Sequence, residues 1–319
     1  MLVWLMVVLG LVILLLAGDM LVRGAVNLAL RVGIPALLVS LTIVAFGTSA
    51  PELLISLKAA FQDKPGLAIG NVVGSNTANI LLVLGIPAIL ATMHTSQCDT
   101  RKSFVTMIGA TLLFILLAMR GQFDFLAGVV LLSVLALILM DQAREALRHR
   151  RDGSAAEDDE EEEEVEGADP QMPWWKVALY LVLGLVGLPF GASILVDSAS
   201  EIARDYGISE TVIGLTLVAL GTSLPELATT VMAALRRQAD VALGNVIGSN
   251  LFNLLAIIGV TSLFKQIPLD LPELHFDFVV MLGASLLLIP FVFLRRDINR
   301  LWGIALSALY ILYVVIVLN

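Results

Sequence analysis

Gly47-Thr48-Ser49-Ala50-Pro51-Glu52 recurs as Gly221-Thr222-Ser223-Leu224-Pro225-Glu226, each copy inside a long apolar run. A second pair of stretches follows: Gly70-Asn71-Val72-Val73-Gly74-Ser75-Asn76 and Gly244-Asn245-Val246-Ile247-Gly248-Ser249-Asn250. The offset is 174 residues for both motifs. Between residues 21–85 and 195–259 about 28 of 65 ungapped positions are identical, which marks a true internal repeat. A carboxylate is expensive inside an apolar span, and here one stands in each half at matched positions.

Working outward, 58% of the 319 residues are hydrophobic and 15% charged, which excludes a soluble globular class. Apolar runs long enough to cross a bilayer recur along the chain. They predict ten spans, at about 2–30, 35–60, 66–92, 104–119, 122–147, 174–204, 209–235, 240–263, 274–294 and 297–318. These runs lack the short-period alternation of a membrane β-barrel. The first has no basic leader and continues through Asp19 and Arg23 into the repeat, so it reads as a span and not as a signal peptide. A single cysteine, Cys98, permits no intrachain disulfide.

The fold class expected is an all-α polytopic membrane protein. Its ten transmembrane helices form two five-helix repeats, residues 1–147 (motif region 41–85) and 174–319 (motif region 215–259). Five is odd, so the second repeat enters the membrane from the opposite face and the repeats are inverted. Residues 148–173 form the linker between them. Eleven of the 28 acidic residues lie within 152–169, leaving 17 acidic against 19 basic elsewhere, so the formal charge of −9 is mostly the linker's. Such a block stays solvated; it reads as a connector, and it lacks the spaced acids of an EF-hand calcium loop. Counting Lys and Arg by loop gives fourteen against five in favour of both termini outside and the linker cytoplasmic.

On a helix, Thr48, Ser49 and Glu52 share one face, as do Thr222, Ser223 and Glu226. Pro51 removes the donor for the Gly47 carbonyl and strains the turn, which helps expose the carbonyls of Ala45 and Phe46. Irregular backbone at membrane depth is tolerated where it lines a cavity or is buried in protein. Hydroxyl, carboxylate and carbonyl oxygens together suit hard cations such as sodium and calcium. Gly70/Gly74 and Gly244/Gly248 offer small faces for close helix approach. Ser75 with Asn79, and Ser249 with Asn253, are four apart and read as the opposite wall of the site. Two glutamates together match the charge of one calcium ion, and an empty site leaves two like charges in a poor dielectric. Asp19 and Asp197 occupy unmatched positions and read as interfacial; His94, His149 and His275 read as surface residues. No zinc-protease, phosphate-loop or serine-hydrolase motif is present, so no enzyme is expected.

These residues resemble the cation/calcium exchanger superfamily, in particular its bacterial and archaeal sodium/calcium exchanger branch. The likeness covers nearly the whole chain: ten spans, two motif repeats and a central linker. It implies a secondary antiporter exchanging calcium for sodium by alternating access, without a cofactor and without a nucleic-acid partner. By position in the motif, Glu52 and Glu226 would hold calcium with Thr48 and Thr222. Ser49, Ser223, Ser75, Ser249 and the carbonyls of Ala45 and Ala219 would complete sodium sites, and Asn79 and Asn253 would line the centre. Spans one and six would slide across the bundle to alternate access. Asn79 and Asn253 are both neutral where several relatives carry an aspartate, which implies no potassium requirement. The Gly-Asn-x-x-Glu-His pattern of proton-coupled relatives is missing. A monomer in the lipid bilayer would suffice for transport. The competing expectations are a proton/calcium or sodium/proton exchanger on the same glutamates, a cation channel, and a receptor or scaffold that moves no ion.

Overall fold

The computed structural model describes residues 2–152, 169, 171–207 and 219–318. The first helix, α1 (Leu2–Val32), is apolar throughout and stops where Gly33 turns left-handed at φ +71° and Pro35 follows. The Ile34 and Gly33 amides both return to the Ala29 carbonyl there, satisfying the helix end. Next come α2 (Ala36–Thr48) and α3 (Ala50–Phe61), bent by 43° at Ser49 with Pro51 in the first turn of α3. Then follow α4 (Pro65–Leu90), α5 (Arg101–Ala118) and α6 (Phe125–Asp152).

Beyond the linker, α7 (Trp174–Asp205) carries Pro189 in its interior. The short α8 (Ala219–Thr222) and α9 (Leu224–Leu235) are separated at Ser223, which has the same backbone angles within a few degrees as Ser49. The chain closes with α10 (Ala239–Phe264), α11 (Leu274–Phe293) and α12 (Arg300–Leu318). Eight described helices are long and apolar enough to span a bilayer, and the bent α2–α3 pair makes a ninth. The remaining expected span, 209–235, begins in residues 208–218, outside the described residues, and its other part is α8–α9. This is a multi-pass helical membrane protein.

The centre is built on α4 and α10, whose apolar windows are 78% and 89% buried, against 11% for α12. A large apolar cluster joins them to α5 and α11, with Phe114 packed on Phe123 at 4.9 Å and on Phe278 at 6.0 Å. In lipid, tails are as apolar as leucine, so helices associate through contact packing, small residues and polar bonds. The outer helices α1, α7 and α12 present Leu, Val, Ile and Trp outward, as a lipid-facing surface requires.

A smaller cluster holds α1 against α7. Their contacts run antiparallel: Gly10 meets Leu195, Ala17 meets Gly187 and Gly24 meets Leu181. A Cβ on Gly10 would stand 2.8 Å from the Leu195 amide, and one on Gly184 would stand 2.6 Å from the Leu21 Cβ. Each of these contacts maps onto the other under the 174-residue offset.

Connections gather at two ends. At one, β1 (Gln122–Phe123) pairs with β2 (Ile267–Pro268). At the other, Met93 bridges to Ile298, and Arg31 and Asn27 of α1 receive the chain returning from the linker, Arg31 donating to the Met172 carbonyl at 2.8 Å.

Candidate functional site

The break at each Ser-x-Pro does more than bend a helix. It places Glu52 in the first turn of α3 and Glu226 in the first turn of α9, where unbonded amides and the helix dipole favour negative charge. Glu52 and Thr48 therefore lie on consecutive helices, not on one continuous face as the spacing implies. Both carboxylates are buried, Glu52 at 1% and Glu226 at 0% exposure, and they are near enough to repel.

Polar groups from the two halves interlock around them. Ser49 donates to Glu226 Oε1 at 3.3 Å. Thr48 also sits on the Glu226 carboxylate, and Thr222 reciprocally on that of Glu52. The Thr48 hydroxyl reaches the Asn245 side-chain oxygen and the Ala45 carbonyl, each at 3.3 Å. That carbonyl, expected to stand exposed, also accepts the Ser49 amide. Ala219 opens α8, and the structure describes only its backbone.

From the second motif, Ser249 sits on the Glu226 carboxylate. Asn79 begins a π-helical turn in α4 (Asn79–Val83), and Asn253 lies in the corresponding turn of α10 (Phe252–Ile257). Such turns widen a helix by one residue and favour functional sites. Asn79 donates to Asn250 at 3.1 Å, and Asn250 to the Asn76 carbonyl at 3.4 Å. Ser75 is buried on the same helix as Asn79. The glycine faces are seen in the second copy: Cβ atoms on Gly244 and Gly248 would stand 2.8 Å and 2.6 Å from the Cβ atoms of Ser40 and Ala45. For Gly70 and Gly74 the repeat-matched neighbours lie around residues 211–219, mostly outside the described residues.

What the interlocking leaves over is telling. Among the described residues, Glu52 Oε2, Glu226 Oε2, Asn79 Oδ1, Asn253 Oδ1 and the Ser223 hydroxyl are buried with no hydrogen-bond partner. Unmade polar groups in an apolar interior each cost about 1–3 kcal/mol. Five such oxygens, with the hydroxyls already on the carboxylates, make a donor set of the kind a hard cation uses when it takes six to eight oxygens. Among the described residues no third acidic, histidine or cysteine side chain joins the two glutamates.

Three pairs escaped the sequence reading. Asn71 donates to the Glu52 carbonyl at 3.2 Å and to Ser56 at 2.9 Å; Asn245 donates to the Glu226 carbonyl at 3.4 Å and to Thr230 at 3.2 Å. Asn76 and Asn250 form the third, in the cross-half chain above. All obey the 174-residue offset, and that was the available signal. Gly47 and Gly221 also gain a reason: a Cβ there would stand 2.0 Å from Leu185 Cδ2 and 2.4 Å from Val196 Cγ2, both on α7. Asp19, expected at the membrane interface, is half-buried and pairs with Arg23 at 3.0 Å and with Arg236 at the end of α9. His94 and His275 are exposed, and His94 pairs with Asp297; the His149 side chain is outside the described residues.

A family model described as sodium/calcium exchanger protein matches residues 2–142 and 176–319. The sodium/calcium exchanger MaX1 of Methanosarcina acetivorans is 34% identical over 343 residues, covering 98% of this chain and 97% of its own. The inner membrane protein YrbG of Escherichia coli is 32% identical, covering 88% and 86%. A structure of the sodium-calcium exchanger NCX_Mj, soaked with sodium and calcium, superimposes with a TM-score of 0.82 at 32% identity, covering 99% and 98%.

Proposed function

The chain belongs to the sodium/calcium exchanger protein family, and on that footing we propose that it is a secondary antiporter exchanging calcium for sodium across a cell membrane. The observation that carries the reading is the set of five buried oxygens, Glu52 and Glu226 among them, that are drawn from both halves and have no partner among the described residues. In this reading the two glutamates hold calcium with Thr48 and Thr222. Ser49, Ser223, Ser75, Ser249 and the carbonyls of Ala45 and Ala219 complete sodium sites, and Asn79 and Asn253 line the centre. Charge supports the pairing: two buried carboxylates match one divalent ion and cannot stay empty together without strong repulsion. Reorientation then requires a bound cation, which makes exchange obligatory; three sodium ions against one calcium would make it electrogenic.

The architecture proposed is ten spans in two inverted repeats, 1–147 and 174–319, joined by the linker 148–173. The reciprocal Gly10–Leu195 and Gly184–Leu21 contacts support it, as do the reciprocal Thr48–Glu226 and Thr222–Glu52 contacts. Both termini lie outside and the linker is cytoplasmic by the basic-residue asymmetry. The protein is a transporter and not an enzyme, its ions are substrates, and a monomer suffices.

The test is calcium uptake by sodium-loaded proteoliposomes diluted into sodium-free buffer, with Glu52→Gln as control. Uptake that needs the outward sodium gradient and vanishes in the variant is expected. Uptake driven by a proton gradient alone would transfer the protein to proton coupling, and flux without a counter-ion would make it a channel.

A further inference from the structure

Asn79 and Asn253 hold matched positions of the repeat, each in a π-helical turn of a central helix, and both are buried. A side-chain amide has two unlike ends: its nitrogen donates and its oxygen accepts, so only the oxygen suits a cation. Which end each asparagine presents therefore matters, and the two halves fix it differently.

In the first half the choice is made. The Asn79 nitrogen donates to Asn250 Oδ1 at 3.1 Å, which turns Asn79 Oδ1 away from Asn250 and leaves it without a partner among the described residues. Asn250 is held in its turn. Its nitrogen donates to the Asn76 carbonyl at 3.4 Å and lies 3.8 Å from the Met107 sulfur on α5. Flipping Asn250 would set two amide nitrogens against each other and put its oxygen against a carbonyl. The orientation of Asn79 is thus imposed across the boundary between the halves.

The second half lacks the matching bond among the described residues. Asn76 stands where Asn250 does, but its nitrogen turns back to the Val72 carbonyl at 2.7 Å, and its Oδ1 is unpartnered. Both Nδ2 and Oδ1 of Asn253 are likewise buried without a partner among the described residues. No hydrogen bond described there selects the end that Asn253 presents.

Resting on the transport reading, in which Asn79 and Asn253 line the centre of the ion site, we propose that Asn250 is a positioning residue. It acts through Asn79, holding that amide with its oxygen free for the cation. A ligand set in advance spares the ion the cost of ordering it. Asn253 is instead turned by the ion itself, so the centre joins one fixed oxygen to one adjustable amide.

The test is a double-mutant cycle on the reconstituted full chain, reading the half-saturating cation concentration apart from the maximal rate. Asn250→Leu, close in volume but without an acceptor, should raise that concentration about fivefold, the size of one typical hydrogen bond. In an Asn79→Ala background the same change should cost less than about twofold, because the two residues act as a unit. Asn250→Asp keeps an acceptor oxygen in place and should weaken nothing. Asn76→Leu, at the matched position, should shift the concentration by less than about twofold, since no lock is lost. Additive losses would make Asn250 a packing residue and overturn the proposal. Equal effects of Asn250→Leu and Asn76→Leu would overturn it too, as would Asn250→Asp behaving like Asn250→Leu, or an Asn79→Ala variant with unchanged half-saturation.

A second readout needs no transport. In full chain carrying isotope-labelled asparagine, the Asn79 side-chain amide resonance is identified by its loss in Asn79→Ala. It should move in Asn250→Leu and keep its place in Asn76→Leu; a resonance unmoved by Asn250→Leu would overturn the lock. Failure of sodium-driven uptake in the unmodified chain would leave this resonance shift as it is, so the lock and the transport reading fall separately.

Discussion

Asn71 and Asn245 occupy the same position of the repeat, and each donates to the carbonyl of its own half's glutamate. Only Asn245 is fully buried, and only it receives the Thr48 hydroxyl from the other half. A second pair differs more. In the first half Asp19 ties α1 to Arg236; at the matched positions stand Ser193, which donates to Asp197 at 3.2 Å, and Gln62. The polar groups around the two glutamates obey the repeat, while the Asp19–Arg236 tie between α1 and the bundle departs from it. Exchange chemistry can thus be shared between halves while the balance between the two access states is set by one of them.

The largest expected effect tests the shared part. Glu52→Gln and Glu226→Gln should each lower calcium uptake by about 100-fold or more, since breaking a buried charge match costs about 3–5 kcal/mol. Flux in reconstituted vesicles that survives in one variant alone would break the equivalence of the halves. Next, Asn245→Ala should cost about tenfold in uptake and Asn71→Ala less, because a typical buried hydrogen bond contributes about 1 kcal/mol and Asn245 makes one more. Equal losses, with unchanged melting temperatures, would remove the asymmetry between them.

A few-fold effect is expected at the anchor. Asp19→Asn takes the acid from a partly buried pair and should loosen α1, read as faster amide exchange in α1 than in α7. Gln62→Arg with Ser193→Asp builds the same pair in the second half and should slow exchange in α7. An ion pair of this exposure is worth about 1 kcal/mol, which fits that scale. The smallest effect is for removal of residues 153–168, which should leave sodium-driven calcium uptake unchanged; a lost or calcium-shifted activity would make the linker a sensor.

Much of this was legible in the residues because the repeat makes its own control. Two glutamates at one offset, each after a proline, were enough to single out the candidate site that the structure buries between the two halves. The broken helix at Ser49 was legible only in part: Pro51 announced a disturbed turn, but not that Glu52 would begin a new helix. Asn71, Ser56 and their partners were missed because only one face of the second motif was followed, while the structure uses two. The Asp19–Arg236 pair was not legible, because the partners are 217 residues apart and no local spacing reveals such a pair. The count of spans rests partly on residues 208–218, outside the described residues.

The α1–α7 contact has a mechanical consequence. Because these helices grip each other through reciprocal glycine contacts, they can travel as one stiff body without unpacking. Of the ten residues in their apolar cluster, only Val39, Val44 and Ala228 belong to the bundle. A displacement of the pair therefore moves against few bundle residues besides those that hold Val22 and Val26 of α1, with Gly47 and Gly221 as the points of close clearance on α7. Roughness added there, as by Gly47→Ala against Leu185, would act as a brake on the stroke while leaving the ion's oxygens in place.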